Sequence, residues 1–541
     1  MNCLYILVAP SAVGKSALLH QLKTECCSQG QPFWYAINKY STRDCRGVDS
    51  SGIADDVVDI DNKTEDLQKA RQKYDLLRCN DVSSVEAQIK YKSALDELIA
   101  KRFQYIESYC KDTGDEKKGI VYHLNTNLYG FNYKEISSCL ERGNGVIICS
   151  DFDTIRTLKN NPIFGKQVRV VYIASSMDEK VLLQRYKGRI GENEQIFNIN
   201  KESLGLVENY NNLILSAARL GFYEKIEETI PLLNETWNSM LKYYTTICNR
   251  KEKIRLLFNQ YIENIAIIDH VILNFYDLEY MFKQMKNVII NNNCGQNSQT
   301  ISAPVFMVCA APSSGKGTLM EIVSDIGKID GSLIQIPKYA KREAAPLTDR
   351  RDGMIPIGSD GKFEDYISPS DCIWNWIGHK TSDTQASVSV EKEYAVNIQY
   401  IRNNIKNGKA QIFISNFGEI EKARALFPNN LVVLYLHATH DTETRKHIQK
   451  KRELESRKKI RQIAQRDESL DLSDDDVTKR FLSDDNQELL KNTINTDLNE
   501  IKETHYRYVD CISQVNHVIL NTGTQDDLIL QMLKVLKIYK N

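Results

Sequence analysis

The chain has 541 residues, 42% of them hydrophobic and 26% charged, which is an ordinary globular composition and long enough for two or more domains. Lysine and arginine total 70 against 71 for aspartate and glutamate, so the overall charge gives no sign of a nucleic-acid or membrane partner. The thirteen cysteines are scattered and have no CxxC spacing, so they do not predict a disulfide scaffold. No apolar run approaches about 18 residues, so the sequence predicts no membrane span. The cysteine pattern fits a reducing cytoplasm, and no basic segment precedes the first apolar run as a signal peptide would require.

Two glycine-containing loops each follow a short apolar run. APSAVGKS at 9–16 follows LYILV, and AAPSSGKGT at 310–318 follows VFMVC. In a phosphate-binding loop, backbone N–H groups and a helix N-terminus face the anion while a lysine contacts the terminal phosphates. The first loop predicts a nucleotide site made by Ser11, Gly14, Lys15 and Ser16, with the Ser16 hydroxyl at Mg²⁺. The second loop offers Gly315, Lys316 and Thr318.

Both loops have alanine, Ala9 and Ala310, where such loops usually begin with glycine. An ordinary strand-to-helix turn with a chance lysine is the alternative interpretation of each.

Further apolar runs at 145–149, 168–174, 410–415 and 431–437 alternate with segments of helical spacing. Strands separated by helices predict an α/β fold, with parallel sheets covered by helices and the loops at the carboxyl ends of strands. Helical apolar spacing also extends over about 62–110 and about 195–265.

The second half of the chain repeats motifs of the first half in the same order. KYSTR at 39–43 matches KYAKR at 338–342, and HVILN occurs at both 270–274 and 517–521. Shared order predicts two tandem copies of one unit, the first lengthened by the two helical insertions. We expect domains at 1–290 and 305–541, joined by the polar linker 291–304.

Several motifs of the first half together are similar to those of guanylate kinases. They are APSAVGKS, STRDCR (41–46), NLYG (127–130), GVIICSDFDTI (145–155), QRYKGRIGENEQI (184–196) and HVILN. The chain therefore resembles the guanylate kinase-like family of P-loop nucleoside monophosphate kinases over most of each copy. The resemblance implies two P-loop NTPase domains and transfer of a phosphoryl group from ATP, with Mg²⁺, to a nucleoside monophosphate or another small phosphorylated acceptor.

The resemblance also implies roles for charged residues. Arg43 and Arg46 would hold the acceptor phosphate beside Tyr129, and Arg185 and Arg189 would close over the donor as a lid. Arginine suits these roles because its planar fork matches phosphate oxygens, and phosphoryl transfer depends on neutralising charge. Solvated surface arginines and a structural tyrosine are the alternatives.

Three other positions take roles from the same comparison. Asp151 would orient a Mg²⁺-bound water or tie an acceptor arginine, and Arg452 occupies the lid position of the second copy. Asn416 stands where the first copy has that aspartate, so we expect the second copy to bind nucleotide with little catalysis, in a regulatory or scaffolding role.

The chain departs from the family where the family reads guanine. Lys39 and Ile120 stand at those positions, and neither side chain can accept a hydrogen bond from guanine N–H groups. The helical stretch 62–110 also lies where the family has its small acceptor-binding sheet. The acceptor base therefore stays open.

Two other classes of function stay open as well. The chain could be a nucleotide-binding pseudokinase whose helical insertions hold a protein partner, or an ATPase that drives a conformational switch. A basic helical stretch at 444–466 could grip nucleic acid, but the neutral whole-chain charge favours an elongated lid over ATP phosphates. No His/Cys spacing indicates zinc.

Overall fold

A computed structural model describes most of both halves of the chain. The described residues are 3–9, 14–28, 34–43, 57–78, 84–110, 119–124, 127–142, 145–175, 252–275, 278–291, 301, 303–311, 314–330, 333–341, 353–368, 371–377, 381–382, 389–390, 393–438, 499–521 and 525–539. They form two units, which are described separately. One consists of Met1–Tyr261 and Ile272–Phe282, and the other of Ile262–Val271 and Lys283–Asn541.

Strands and helices alternate along the first half. Its strands are β1 (Leu4–Val8), β2 (Trp34–Ala36), β3 (Tyr40–Ser41), β4 (Gly119–Leu124), β5 (Asn127–Asn132), β6 (Gly145–Cys149), β7 (Val168–Ser175) and β8 (His270–Asn274). Its helices are α1 (Lys15–Ser28), α2 (Glu65–Arg78), α3 (Val85–Cys110), α4 (Tyr133–Glu141), α5 (Phe152–Lys159), α6 (252–263) and α7 (Leu278–Asn291).

The second half has the same alternation. Its strands are β9 (Val305–Ala310), β10 (Leu333–Gln335), β11 (Lys338–Ala340), β12 (Met354–Pro356), β13 (Ile373–Ile377), β14 (Thr381–Ser382), β15 (Ser389–Val390), β16 (Glu393–Asn397), β17 (Ala410–Ser415), β18 (Leu431–Ala438) and β19 (His517–Asn521). Its helices are α8 (Lys316–Asp330), α9 (Ile398–Lys406), α10 (Ile420–Leu426), α11 (499–511) and α12 (Gln525–Ile538).

Each half contains a five-stranded sheet with its loop strand in the centre. The orders are β2-β6-β1-β7-β8 and β10-β17-β9-β18-β19. β1 runs parallel to both its neighbours, with Leu4 opposite Val146 on one side and Val168 on the other. All five residues of β1 are buried, as expected for a strand whose sheet has helices on both faces. The α/β prediction with parallel sheets is confirmed.

Taken in chain order, both five-stranded sheets have the strand order 2-3-1-4-5. The chain leaves the central strand toward one edge and later continues toward the other, so the central strand ends at a topological switch point. Ligands of such sheets bind at the carboxyl ends of strands near this point. The loop after β1 and the loop after β9 therefore occupy the position where the fold favours a ligand.

A small antiparallel sheet and a helix pair accompany the first five-stranded sheet. β3, β5 and β4 form the sheet, and α2 packs on α3 through Ala70, Tyr74, Ala94 and Leu98. The predicted helices within 62–110 are confirmed. The expectation that they occupy the place of a small sheet needs correction, because the chain has both the sheet and the helices.

The second half has its own small sheet, in the order β12-β11-β16-β13. β11 pairs parallel with β12 and antiparallel with β16, which also pairs antiparallel with β13. The helix after each small sheet begins in a similar way. The Asn132 side chain accepts from the Lys134 N–H at the start of α4, and the Asn397 side chain accepts from the Tyr400 N–H at the start of α9.

Some sequence predictions fall outside the described residues. Of the second predicted insertion, 195–265, only its last part is described, and α6 there is helical. Most of the predicted linker 291–304 is outside as well. Among the residues described, no helix has both the length and the apolar character needed to cross a membrane.

Candidate functional site

Near its end the first loop has a glycine–lysine pair that leads directly into α1. Gly14 has φ +83°, in the left-handed region that favours glycine, and its carbonyl accepts the first helical hydrogen bond from Leu18. Lys15 opens α1, and its ammonium donates to the carbonyl of Ala9 at 2.8 Å. The Lys15 side chain therefore reaches back to the first residue of the loop, Ala9.

Two other predicted residues of this loop cannot be placed in the same detail. Ser11 lies outside the described residues, and Ser16 lies in the first turn of α1 with its side chain outside the description.

The second loop repeats this arrangement. Gly315 has φ +96° and accepts from Leu319, while the Lys316 ammonium donates to the carbonyl of Ala311 at 2.9 Å and of Ala310 at 3.4 Å. Thr318 lies half-buried in the first turn of α8. Gly317 stands where the first loop has Ser16, and the neighbouring Thr318 provides a hydroxyl on the same turn.

An asparagine at the end of the HVILN strand contacts each loop. In the second half the Asn521 side-chain amide donates to the carbonyl of Ser314 at 2.7 Å. A Cβ on Gly315 would lie 2.5 Å from Asn521 Nδ2. In the first half a Cβ on Gly14 would lie 3.5 Å from Asn274 Nδ2. Gly315 is thus constrained by close approach as well as by φ, whereas the Asn274 distance at Gly14 is an ordinary van der Waals contact and that residue is constrained by φ.

The Asn521 contact also orients a peptide group. A trans peptide directs its C=O and N–H to opposite sides. Holding the Ser314 carbonyl toward Asn521 therefore directs the Gly315 N–H away from it. The sequence analysis used HVILN only as a repeat and as one of the motifs similar to guanylate kinases, although its exact recurrence was a usable signal for a role of its asparagine.

Buried hydroxyl groups lie at the two loops. The Ser314 side chain is fully buried, and its Oγ meets no hydrogen-bond partner among the residues described. Ser150 directly follows β6, and its N–H donates to the Leu7 carbonyl near the end of β1. Its Oγ is also buried and has no hydrogen-bond partner among the residues described. A buried hydroxyl left without a partner costs about 1–3 kcal/mol. These groups fit a polar ligand such as a polyphosphate at the loops.

The small sheet of the first half brings the predicted acceptor residues Arg43 and Tyr129 to neighbouring positions. Ser41 pairs with Tyr129 across β3 and β5, and the backbone N–H of Arg43 donates to Ser41 Oγ at 3.1 Å. Tyr129 is buried and its ring stacks on Tyr122, with centroids 5.6 Å apart. Arg43 is half-buried.

Lys39 shares this face of the sheet. Its ammonium lies 5.0 Å from the centroid of the Tyr129 ring, and the residue is 9% exposed. The second half has the same pair, with Lys338 4.7 Å from the Tyr394 ring and 6% exposed. Sequence reasoning treated Lys39 only as the loss of a guanine contact. The structure shows a cation on an aromatic ring in both halves.

The other face of the small sheet packs against α3. The Tyr40 and Tyr109 hydroxyls donate to Glu135 at 2.6 and 3.0 Å. Burial, together with the Glu135 carboxylate, raises the pKa of Tyr40. Burial raises the pKa of the Cys110 thiol to about 12, which keeps this cysteine in the less reactive thiol form. This face is structural.

Asp151 has a local structural role. It caps α5, with Oδ1 accepting from the Thr154 N–H at 2.8 Å. Asn416 makes the matching contact with the Gly418 N–H at 2.9 Å. The change from acid to amide therefore preserves the cap and removes one negative charge at the end of the strand.

Four predicted arginines lie outside the described residues: Arg46, Arg185, Arg189 and Arg452. The basic segment 444–466 lies outside as well. Among the described residues, no group of three or more His, Cys, Asp or Glu side chains could hold a metal ion.

By its fold the chain is an α/β protein with helix-covered parallel sheets and a glycine–lysine loop at the centre of each. No protein-family model matches it, and no curated protein does. Among solved structures, it is similar to the guanylate kinase from Anaplasma phagocytophilum, at 9% identity and a TM-score of 0.25. That match covers 44% of this chain and 86% of the other. A likeness at this level identifies no family, so a functional proposal has to rest on the site itself.

Proposed function

We propose that the chain is an ATP-dependent nucleotide kinase. Its first half would transfer the γ-phosphoryl group to a nucleoside monophosphate or another small phosphorylated acceptor, and its diverged second half would bind nucleotide. One observation carries the proposal. Each half sets a left-handed glycine and a helix-opening lysine after its central parallel strand, and the lysine ammonium donates to a backbone carbonyl at the start of the loop.

On the donor side, the chain would contribute fixed dipoles and charge. The amides around Gly14 and the ammonium of Lys15 would hold the phosphates, with Ser11 beside them, and the Ser16 hydroxyl would hold Mg²⁺. Bound MgATP supplies the phosphoryl group and metal charge that offsets its negative oxygens. Arg185 and Arg189 would cover the donor and exclude water.

On the acceptor side, the phosphate would meet Arg43 and Arg46 beside Tyr129. The neighbouring ammonium of Lys39 adds a third positive charge to this face. A dianionic phosphomonoester fits such a cluster better than a neutral acceptor does. Asp151, at the end of β6, would tie an acceptor arginine or a Mg²⁺-bound water through its second oxygen.

The second half keeps the donor loop and changes the acceptor side. Gly315, Lys316 and Thr318 would bind nucleotide phosphates, with Arg452 as a lid residue. Asn416 lacks the charge that a catalytic aspartate would offer. We propose that the halves are tandem copies, at 1–290 and 305–541 with a linker at 291–304, and that the second is regulatory.

We infer a cytoplasmic protein, since buried cysteines such as Cys149 and Cys309 are free thiols. A protein partner is a second candidate function for the helix pair α2–α3. Leu76, Val85 and Ile89 on this pair are 68%, 73% and 63% exposed. Large apolar side chains exposed on one pair of helices are a feature of interaction sites. This reading would make the chain a nucleotide-binding interaction module.

An acceptor screen tests the kinase proposal. The purified chain is incubated with MgATP and each common nucleoside monophosphate in turn, and ADP and nucleoside diphosphate are measured together. With one acceptor we expect ADP and the phosphorylated acceptor in equal amounts, which for AMP means two ADP for each ATP consumed. ADP without any phosphorylated acceptor would indicate an ATPase. Nucleotide binding without either product would indicate the interaction module.

A further inference from the structure

The helix α3 carries a buried arginine that reaches the acceptor side of the first half. Arg102 is 3% exposed, and its guanidinium makes a bidentate contact with Asp61. Nε donates to Oδ1 at 2.8 Å and Nη2 donates to Oδ2 at 2.6 Å. Its remaining nitrogen, Nη1, donates to the backbone carbonyl of Thr42 at 2.9 Å. One guanidinium therefore joins three separate parts of the chain.

Such a pair is not explained by stability alone. Burying two charges costs several kcal/mol of lost hydration, and apolar side chains of similar size often replace a buried ion pair without loss. What an arginine adds is direction, because its planar fork fixes five donors relative to one another. Here the fork sets the distance between α3 and the Thr42 carbonyl.

Thr42 is held on its other side by β5. Its N–H donates to the Leu128 carbonyl at 3.0 Å, and its Oγ1 accepts from the Leu128 N–H at 3.0 Å. With the Arg102 contact, the N–H, the hydroxyl and the C=O of Thr42 are all fixed. The next residue is Arg43, whose own N–H is tied to Ser41. These contacts fix the peptide group between Thr42 and Arg43, and with it the position of the Arg43 Cα from which the side chain extends.

We propose that Arg102 is a positioning residue for the acceptor phosphate. It acts through Thr42 to place Arg43 beside Tyr129, and the helix pair α2–α3 is in this way part of the acceptor site. The proposal deepens the kinase function and rests on it for its kinetic consequence. Its structural consequence, a fixed Thr42–Arg43 segment, holds whether or not the chain is a kinase.

The test compares Arg102→Met with Arg71→Met. Arg71 is the matched control, because it also contacts Asp61, at 3.2 Å, but it is more exposed and extends from α2 toward Asp75 and the Tyr74 ring. A displacement of about 1 Å at a substrate-holding group can cost up to about a hundredfold. We expect Arg102→Met to raise KM for the acceptor by about tenfold or more, with KM for MgATP within about twofold of the wild type. Arg71→Met should change neither constant by more than about twofold.

Arg102→Lys covers the case in which the methionine variant does not fold. It retains the charge but cannot contact both Asp61 oxygens and the Thr42 carbonyl in one plane. We expect it to raise KM for the acceptor selectively, by less than the methionine variant would. Equal rises in both KM values, or an unchanged KM for the acceptor, would overturn the proposal.

Hydrogen exchange keeps this test separate from the test of the kinase function. In Arg102→Met, or in Arg102→Lys if only that variant folds, the amides of 41–43 should exchange at least about tenfold faster, and in Arg71→Met they should not. If the wild type transfers no phosphoryl group, the kinase proposal fails. The exchange result still shows whether Arg102 holds the Thr42–Arg43 segment in place. Unchanged exchange in the Arg102 variant would overturn it.

Discussion

At the scale of single residues, the two loop lysines have the same backbone setting and different surroundings. Lys15 would act in a half that retains the acceptor side, whereas Lys316 would act in a half that has lost an acid at Asn416. Removing one preorganised charge that stabilises a transition state typically costs about 10²–10³-fold in rate. We expect Lys15→Ala to lower kcat by at least that factor and Lys316→Ala to leave most of the activity. Steady-state kinetics of the two variants measure this, and equal losses would mean that the halves are ranked wrongly.

A glycine substitution tests the close approach between Asn521 and the second loop. Gly315 and Gly408 both have positive φ, of +96° and +67°, so alanine is strained at either position. Only Gly315 would also bring the new methyl group into contact, 2.5 Å from Asn521 Nδ2, since nothing lies within 4 Å of a Cβ on Gly408. We expect Gly408→Ala to lower the free energy of unfolding by about 1 kcal/mol and Gly315→Ala by at least about 2 kcal/mol. Chemical denaturation of the two variants measures these losses. Equal losses would mean that the Asn521 side chain moves away from the new methyl group at little cost.

The residues that sequence reasoning missed act over long separations. The glycines and lysines of the loops are readable because a turn and a helix start are local events. Asn521 is 207 residues from Ser314, and Arg102 is 60 from Thr42. No local pattern links such pairs. Lys39 shows another limit of the sequence. Its residue type excludes accepting a hydrogen bond from guanine, but it does not reveal that the ammonium lies over the Tyr129 ring.

At the scale of elements, the helix pair α2–α3 has a core of its own. Leu98 is fully buried there against Ala70, Tyr74 and Ala94, whereas Leu76 on the same pair is 68% exposed. Removing a buried leucine side chain costs about 2–5 kcal/mol, and removing an exposed one about 0.5 kcal/mol or less. We expect Leu98→Ala and Leu76→Ala to differ in this way in denaturant unfolding. A large loss from Leu76→Ala instead would show that a partner or another part of the chain covers that side chain.

Strand prediction succeeded where burial is two-sided and failed where strands are short. The runs at β1, β6, β7, β9, β17 and β18 are continuous and apolar because helices cover both faces of their sheets. The strands of the small sheets have two to six residues and include glycine, asparagine and lysine, so no period of two is visible. One glycine has a clear reason. A Cβ on Gly130 would lie 2.9 Å from Cys110 Cβ, which shows how closely α3 approaches β5.

At the scale of the whole molecule, acid should destabilise the second half through His517. Burial lowers the pKa of His517 to about 4 from its usual 6.5, and its Nε2 lies 2.9 Å from the Tyr539 hydroxyl. The unfolded chain takes up a proton below pH 6.5 while the folded chain resists it until about pH 4. Stability is therefore unaffected by this group above pH 6.5 and falls by about 1.4 kcal/mol per pH unit between 6.5 and 4.

Unfolding measured across this range checks the acid prediction. His517→Gln should flatten the slope between pH 6.5 and 4. A slope that survives His517→Gln would assign the acid sensitivity to other groups.

The overall architecture followed from sequence more closely than the site did. Alternating apolar and helical segments are enough to predict a helix-covered parallel sheet, and each half contains one with the same strand order. The details of the acceptor side depend on how one small sheet, one helix pair and several charged side chains meet. Those contacts are tertiary, and so they appear only in the folded chain.

The central claim is that the loop around Lys15 binds polyphosphate. Calorimetric titration of the purified chain with MgATP and MgGTP tests it most directly, with Lys15→Ala and Lys316→Ala as matched variants. We expect saturable heat with at least one triphosphate, a large loss of affinity in Lys15→Ala for one class of sites, and the loss of a second class in Lys316→Ala. Absence of binding to every triphosphate, or binding that neither substitution weakens, would contradict the claim.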